Sequence, residues 1–242
     1  MLAPRKPRNP VAGRWPGLLA LVAVLPLLCA TSAAGQGQEA GIRFLVADPT
    51  GTFGDRVDDP GFGLALHWGV RPDPALTLGV GGHVAIYGSE SRRLDLPLVD
   101  DVDLTTTNNL AAGFLMAQWR PVRGAVQPYL EGRLGLQYLW TESELEDADW
   151  WDQDDVGRQT NLDDWATFWS AGGGLLIRLR EVGPEQGPPG VLLDLKATWL
   201  RGSEAEYLTE GAVTLEGDRP VFAVSESTTD LVTYELGVVL TF

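Results

Sequence analysis

Eight stretches of the chain alternate apolar and polar residues with a period of two. They span residues 41–48, 61–71, 75–87, 109–120, 125–141, 165–180, 191–201 and 230–242. That period belongs to strands, because successive side chains leave opposite faces of an extended backbone. In the fifth stretch Leu130, Leu134, Leu136, Tyr138 and Trp140 share one face, and Gln127, Glu131, Arg133 and Gln137 share the other. The seventh sets Val191, Leu193, Leu195, Ala197 and Trp199 against Asp194, Lys196 and Thr198. The eighth sets Val232, Tyr234, Leu236, Val238, Leu240 and Phe242 against Thr233, Glu235, Gly237 and Thr241. Phe62, Leu64, Leu66, Trp68 and Val70 form the apolar row of the second, and Leu76, Leu78, Val80, Val84 and Ile86 that of the third. The fourth is ambiguous, with large apolar residues on both faces.

Alternation does not say which face meets solvent; the connections do. They run to about 12, 3, 21, 4, 23, 10 and 28 residues, long and short in strict turn, as in membrane barrels with short turns at one rim and long loops at the other. Arg71-Pro72-Asp73-Pro74 and Pro121-Val122-Arg123-Gly124 supply tight turns. No segment beyond the N-terminal region offers 18 consecutive apolar residues for a spanning helix. The expected fold is therefore all-β: an eight-stranded antiparallel up-and-down transmembrane β-barrel. Aromatic placement agrees with two interfacial girdles, Tyr138, Trp140, Trp165 and Trp199 near the long-loop rim and Trp68, Trp119 and Phe242 near the other. Short strands are also expected around 212–215 and 221–224, extending the wall past the bilayer.

The first 34 residues have the three parts of a secretory signal: a basic start to Trp15, an apolar run from Pro16 to Ala30, and small residues before a cleavage point placed after Ala34. The division is a signal peptide over 1–34 and a barrel domain over 35–242. Cys29, the only cysteine, follows Leu28 rather than a small residue, which disfavours a lipoprotein reading, and its loss with the signal leaves no disulfide framework. Removing that segment leaves 14 bases against 33 acids. So acidic a surface repels phosphate backbones, and no nucleic-acid partner is expected.

If the apolar rows face hydrocarbon, the other rows are enclosed. The lumen should then hold His67, His83, Glu131, Arg133, Arg178, Asp194, Lys196 and Glu235, with Lys196 pairing Glu235 and Arg178 pairing Asp194 as structural ion pairs. Eight strands leave an interior just wide enough for side chains, so a closed polar lumen is expected rather than a pore.

The last eight residues resemble the C-terminal assembly signal of bacterial outer-membrane barrels, with Glu235, Gly237, Leu240 and Phe242 at its polar, glycine, third-last and last positions. Pro128-Tyr129-Leu130-Glu131-Gly132 followed by Gly135 resembles a middle-strand stretch of such barrels, and from about residue 41 the chain is similar to small outer-membrane barrels of the outer-membrane protein A and X type. The resemblance implies recognition by the barrel-assembly machinery and a place among outer-membrane lipid in a Gram-negative bacterium; the chain departs from the family's two-domain members, and a peptidoglycan-binding domain is not expected. Gly237 is expected to let its strand bend without a side chain pressing into the lumen.

Enzymatic chemistry finds little to work with. On the face shared with each histidine, the position two residues on is Gly69 or Ala85 rather than a serine nucleophile. The third long loop gathers Glu142, Glu144, Glu146, Asp147, Asp149, Asp152, Asp154, Asp155, Asp163 and Asp164 around Trp150 and Trp151, opposed only by Arg158. Asp152, Asp154, Gly157, Thr160 and Asp163 fall on parts of a calcium-loop pattern, but Val156 takes a ligand position and the last ligand is not Glu. Weak sharing of divalent cations with an anionic leaflet is the expectation instead. The sequence reading is thus a monomeric, non-enzymatic barrel without cofactors, structural or surface-interactive through its acidic loops. Its alternatives are a lipid-modifying enzyme or small-molecule carrier in the same membrane, and a soluble barrel with the faces reversed.

Overall fold

A computed structural model describes residues 37–57, 59–94, 102–147, 157–182, 189–216 and 219–242. Eight strands close a barrel: β1 (Gln38–Pro49), β2 (Gly61–Asp73), β3 (Leu76–Leu94), β4 (Val102–Trp119), β5 (Val126–Asp147), β6 (Gly157–Arg180), β7 (Gly190–Gly202) and β10 (Leu231–Thr241). A separate two-stranded sheet, β8 (Glu204–Glu216) with β9 (Arg219–Thr228), stands between β7 and β10 in the chain. Each barrel strand pairs antiparallel with its neighbours, and β1 meets β10 to close the seam from Glu39↔Thr241 to Pro49↔Leu231. No edge is left, and the ladders satisfy the backbone amides of the wall internally. Among the described residues no helix is long and apolar enough to cross a membrane.

The apolar rows face out. Ile42, Phe44, Phe62, Leu64, Leu78, Val80, Leu115, Leu130, Leu134, Leu136, Leu195 and Leu236 are all at least two-fifths exposed, while Arg43, Glu131, Asp194, Lys196 and Glu235 are each at most 5 % exposed. This reverses the partition of a water-soluble protein, and the soluble alternative required the opposite. The ambiguous fourth stretch resolves as β4 with Leu110, Ala112, Phe114, Met116 and Gln118 inward, and Leu115 and Trp119 outward. Both faces are apolar because Phe114 and Met116 fill the interior.

Three sequence expectations change. The connections after β3 and β5 were read as long loops, but much of them is strand. Val102 to Thr107 pairs with Asp147 to Glu142, and Glu142 to Leu145 pairs with Thr160 to Gly157 after an irregularity at Thr141. Apolar alternation stops where hydrocarbon would end, whereas the backbone ladder does not need it. The expected strands at 212–215 and 221–224 are the distal parts of β8 and β9, paired through Val213↔Phe222 and Leu215↔Pro220. They do not extend the wall: they form their own sheet, tied to β6 at its base by Ser203 N–H to the Thr167 carbonyl at 2.8 Å and Glu206 N–H to Asp164 Oδ2 at 2.9 Å. The calcium-loop pattern fails over its second half, because Gly157 to Asp163 lies in β6 and an extended paired strand cannot wrap a cation. Asp149, Trp150, Trp151, Asp152, Asp154 and Asp155 lie outside the described residues, as does the signal segment with Cys29.

Candidate functional site

The enclosed space is the candidate site, and it has two chemistries stacked along the barrel axis. The half towards the short turns is ionic. Asp194 on β7 receives Arg43 Nε at 2.5 Å and the Tyr129 hydroxyl at 2.7 Å. Glu131 on β5 accepts from Gln118 at 3.0 Å, Arg133 at 2.6 Å and Lys196 at 3.0 Å. Glu235 on β10 accepts from Arg133 at 2.9 Å and pairs Lys196 at 2.9 Å, and Glu39 pairs Arg120 below. Arg43, Arg120, Arg133 and Lys196 thus meet Glu39, Glu131, Asp194 and Glu235, so this inner cluster balances its own charge, the condition under which buried charge is tolerated.

Two glycines let long side chains cross the inner wall. Arg43, Gly237 and Asp194 lie in one row across β1, β10 and β7. A Cβ at Gly237 would stand 2.0 Å from the Ile42 carbonyl oxygen and 2.7 Å from Arg43 Cγ. The glycine therefore serves a close approach, letting the guanidinium pass over β10 to its carboxylate, rather than a bend. Tyr129 reaches the same carboxylate from the other side over Gly174, where a Cβ would lie 2.6 Å from the phenol oxygen.

The half towards the long loops is mainly apolar, with buried amide and hydroxyl pairs between Asn108 and Thr141 and between Gln137 and Thr229. Leu110, Leu139, Phe168, Leu200 and Leu231 line it, and Phe53 enters from a short helix, α1 (Gly51–Gly54), with no exposed surface. The Phe53 ring meets Tyr87 at 5.6 Å and Tyr207 of β8 at 5.0 Å, both edge-on. The Thr52 and Thr228 hydroxyls hydrogen-bond at 3.1 Å, and Arg56 donates to the Glu226 carbonyl at 3.0 Å, fastening this segment to β9. Arg133 joins the two halves, its guanidinium lying 4.5 Å from the Phe114 ring centre.

Of the residues expected inside, His67, His83, Glu131, Arg133, Asp194, Lys196 and Glu235 are buried, and Lys196 faces Glu235 in direct register. Arg178 is a correction. Asp194 stands opposite Leu176, and Arg178 lies two residues nearer the open rim, opposite Leu192, bonded to Glu181 at 3.0 Å and not to Asp194. Sequence phase missed Glu39, Arg43, Gln118, Tyr129 and Arg120. Arg43 and Glu39 alternate with Ile42 and Ala40, so the period-two rule applied to the first stretch would have found them. His67 Nδ1 accepts from Arg43 at 2.9 Å, placing its proton on Nε2, and His83 lies near the Phe114 and Phe168 rings without a hydrogen-bond partner. Neither histidine bonds to a hydroxyl among the described residues.

On the outer wall Trp165, Trp199 and Trp119 are exposed, and Trp68, Tyr138 and Trp140 are partly so, all in the outward phase. Tyr138 packs against Trp140 at 5.3 Å and Trp165 at 4.8 Å, and Trp199 meets Trp169 edge-on at 5.4 Å. Trp169 and Tyr234 belong to the same upper girdle, as their phase implies. At the end of β10, Leu240 is half-buried and Phe242 exposed at the opposite rim.

No protein-family model and no curated protein sequence matches the chain. Solved structures are similar to it at low identity. The attachment invasion locus protein Ail of Yersinia pestis, in complex with the heparin analogue sucrose octasulfate, aligns at 14 % identity over 86 % of this chain and 100 % of its own, with a TM-score of 0.42. Neisserial surface protein A aligns at 13 % over 86 % and 98 %, TM-score 0.37, and the N-terminal β-barrel domain of Pseudomonas aeruginosa OprF at 14 % over 86 % and 100 %, TM-score 0.35. By its own closure, strand count and inverted faces, this chain is a closed eight-stranded antiparallel β-barrel with its apolar rows outward.

Proposed function

We propose that the protein is an integral barrel of a Gram-negative outer membrane, a closed anchor with a structural or surface-interaction role and not a pore or an enzyme. The observation that carries this reading is the inversion of the wall, with aliphatic rows exposed and ionisable side chains enclosed. Only a hydrocarbon solvent makes that arrangement stable, and an aromatic girdle suits its two boundaries. Export by a signal within residues 1–34 and insertion by the assembly machinery through Glu235, Gly237, Leu240 and Phe242 belong to the same proposal.

With the long connections external, the surface offered to the outside is acidic: Asp163, Asp164, Glu204, Glu206 and Glu226 stand on the described strands beyond the apolar band. Divalent cations shared with an anionic leaflet would moderate that charge. Because an ionic cluster and an aromatic plug both lie across the lumen, the expected conductance in planar bilayers is nil. The test is direct. The protein should leave membranes only in detergent, migrate faster on gels when unheated than when boiled, and conduct no ions. Release by salt or alkaline washing would sink the membrane assignment, and porin-like current would sink the closed lumen.

A further inference from the structure

We propose that the mouth of the barrel at the short-turn end is a binding site for a phosphate group. A cavity of about 270 Å³ opens there, walled by Arg71, Arg120, Arg178 and Arg180 together with Glu181 and Thr241. The four guanidiniums come from the rim ends of β2, β4 and β6 and line one space from three sides. Their acidic partners are fewer. Glu181 is the one carboxylate among the described lining residues, and Arg178 holds it at 3.0 Å. Glu39, deeper in, pairs Arg120 and lies 3.9 Å from Arg71. Arg71 Nε is buried with no hydrogen bond, and Arg180 Nε donates to the Pro189 carbonyl at 3.1 Å.

Among the described residues, two carboxylates against four guanidiniums leave the mouth cationic in a chain whose formal charge is -15. Composition alone would make the opposite sign. Like charges converging on one partly enclosed space repel each other unless an anion sits between them. A carboxylate is planar and is largely satisfied by a single arginine fork, whereas the tetrahedral oxygens of a phosphate accept from several guanidiniums at once. The volume falls just under the roughly 300 Å³ at which small-molecule pockets begin, which suits a phosphate with a short substituent. Free phosphate and a lipid headgroup share that chemistry. The second source matches the position, because Trp119 and Phe242 mark the end of the apolar wall at this rim.

The proposal does not depend on the anchoring role, since binding can be read in detergent. Protein refolded in an uncharged maltoside would be titrated calorimetrically with inorganic phosphate, with dihexanoyl phosphatidic acid, and with dihexanoyl phosphatidylcholine as a charge-balanced control. One saturable site is expected for the first or second ligand. Arg71→Gln/Arg180→Gln should weaken it at least tenfold, and Arg201→Gln on the far rim should leave it unchanged. Heat-modifiable migration would verify folding of each variant, and Arg180→Gln alone serves if the double variant does not fold. Tighter binding of the phosphatidic acid assigns a headgroup, and tighter or equal binding of inorganic phosphate assigns the phosphate group itself. No saturable binding of either at millimolar concentration overturns the proposal, as does affinity indifferent to the arginine variants.

Discussion

The two halves of the lumen are closed by opposite means. Towards the short turns the barrel is filled by charges that need one another; towards the long loops it is filled mainly by rings and leucines, with a few neutral polar pairs between them. In the ionic half the charged side chains share fixed partners, as Glu131 has Gln118, Arg133 and Lys196. In the apolar half Phe53 is held by packing against Tyr87 and Tyr207 and by a few polar ties of α1 to β9. The contrast teaches that one half is rigid by strand-borne pairing, and the other only as long as a loop stays seated.

The largest effect should come from unbalancing the ionic half. Glu131→Ala removes one acceptor from three donors and leaves Lys196 and Arg133 with Glu235 as their shared carboxylate inside the wall. Breaking a buried ionic cluster by deleting one partner costs about 3–5 kcal/mol. Urea unfolding in lipid vesicles, followed by tryptophan fluorescence and gel mobility, should show a loss of that size. A change under 1 kcal/mol would mean that water enters the cluster and the half is not closed as described.

Phe53→Ala tests the other half. A buried Phe→Ala substitution typically costs about 3–5 kcal/mol in a core that cannot relax. Here the ring is carried by a loop, so less of that loss should reach the barrel and most should appear as local opening. Hydrogen exchange is expected to rise in residues 50–57 and in β9 while the barrel ladder stays protected. Equal loss of protection throughout would erase the distinction between the halves.

The ionic half was legible in the sequence and the apolar plug was not, for a physical reason. Lys196 and Glu235 stand out because charged residues recur on the polar phase of a strongly alternating strand, and phase is a local property. Phe53 sits in a Gly- and Asp-rich connection with no period, and its burial depends on where β8 places Tyr207 after the chain has gone around the barrel. The strand extensions were missed similarly: beyond the apolar band the pairing of Thr105 with Glu144 rests on backbone hydrogen bonds that no side-chain pattern announces.

Arg178 and Asp194 give the smallest and sharpest test, because phase alone made them partners and the register separates them. With Asp194 opposite Leu176 and Arg178 two residues nearer the rim, opposite Leu192, the Arg178 side chain is about a third exposed and its partner Glu181 about four-fifths. Exposed pairs of this kind contribute about 0–1 kcal/mol, and salt screens them further. Arg178→Ala should therefore shift the unfolding midpoint by less than about 1 kcal/mol. Asp194→Ala, which strands Arg43 and the Tyr129 hydroxyl in the lumen, should cost several times as much. In a double-mutant cycle the two losses should add, since residues without shared partners do not couple. A coupling of about 1 kcal/mol or more would restore the direct pair and move the β6–β7 register by two residues.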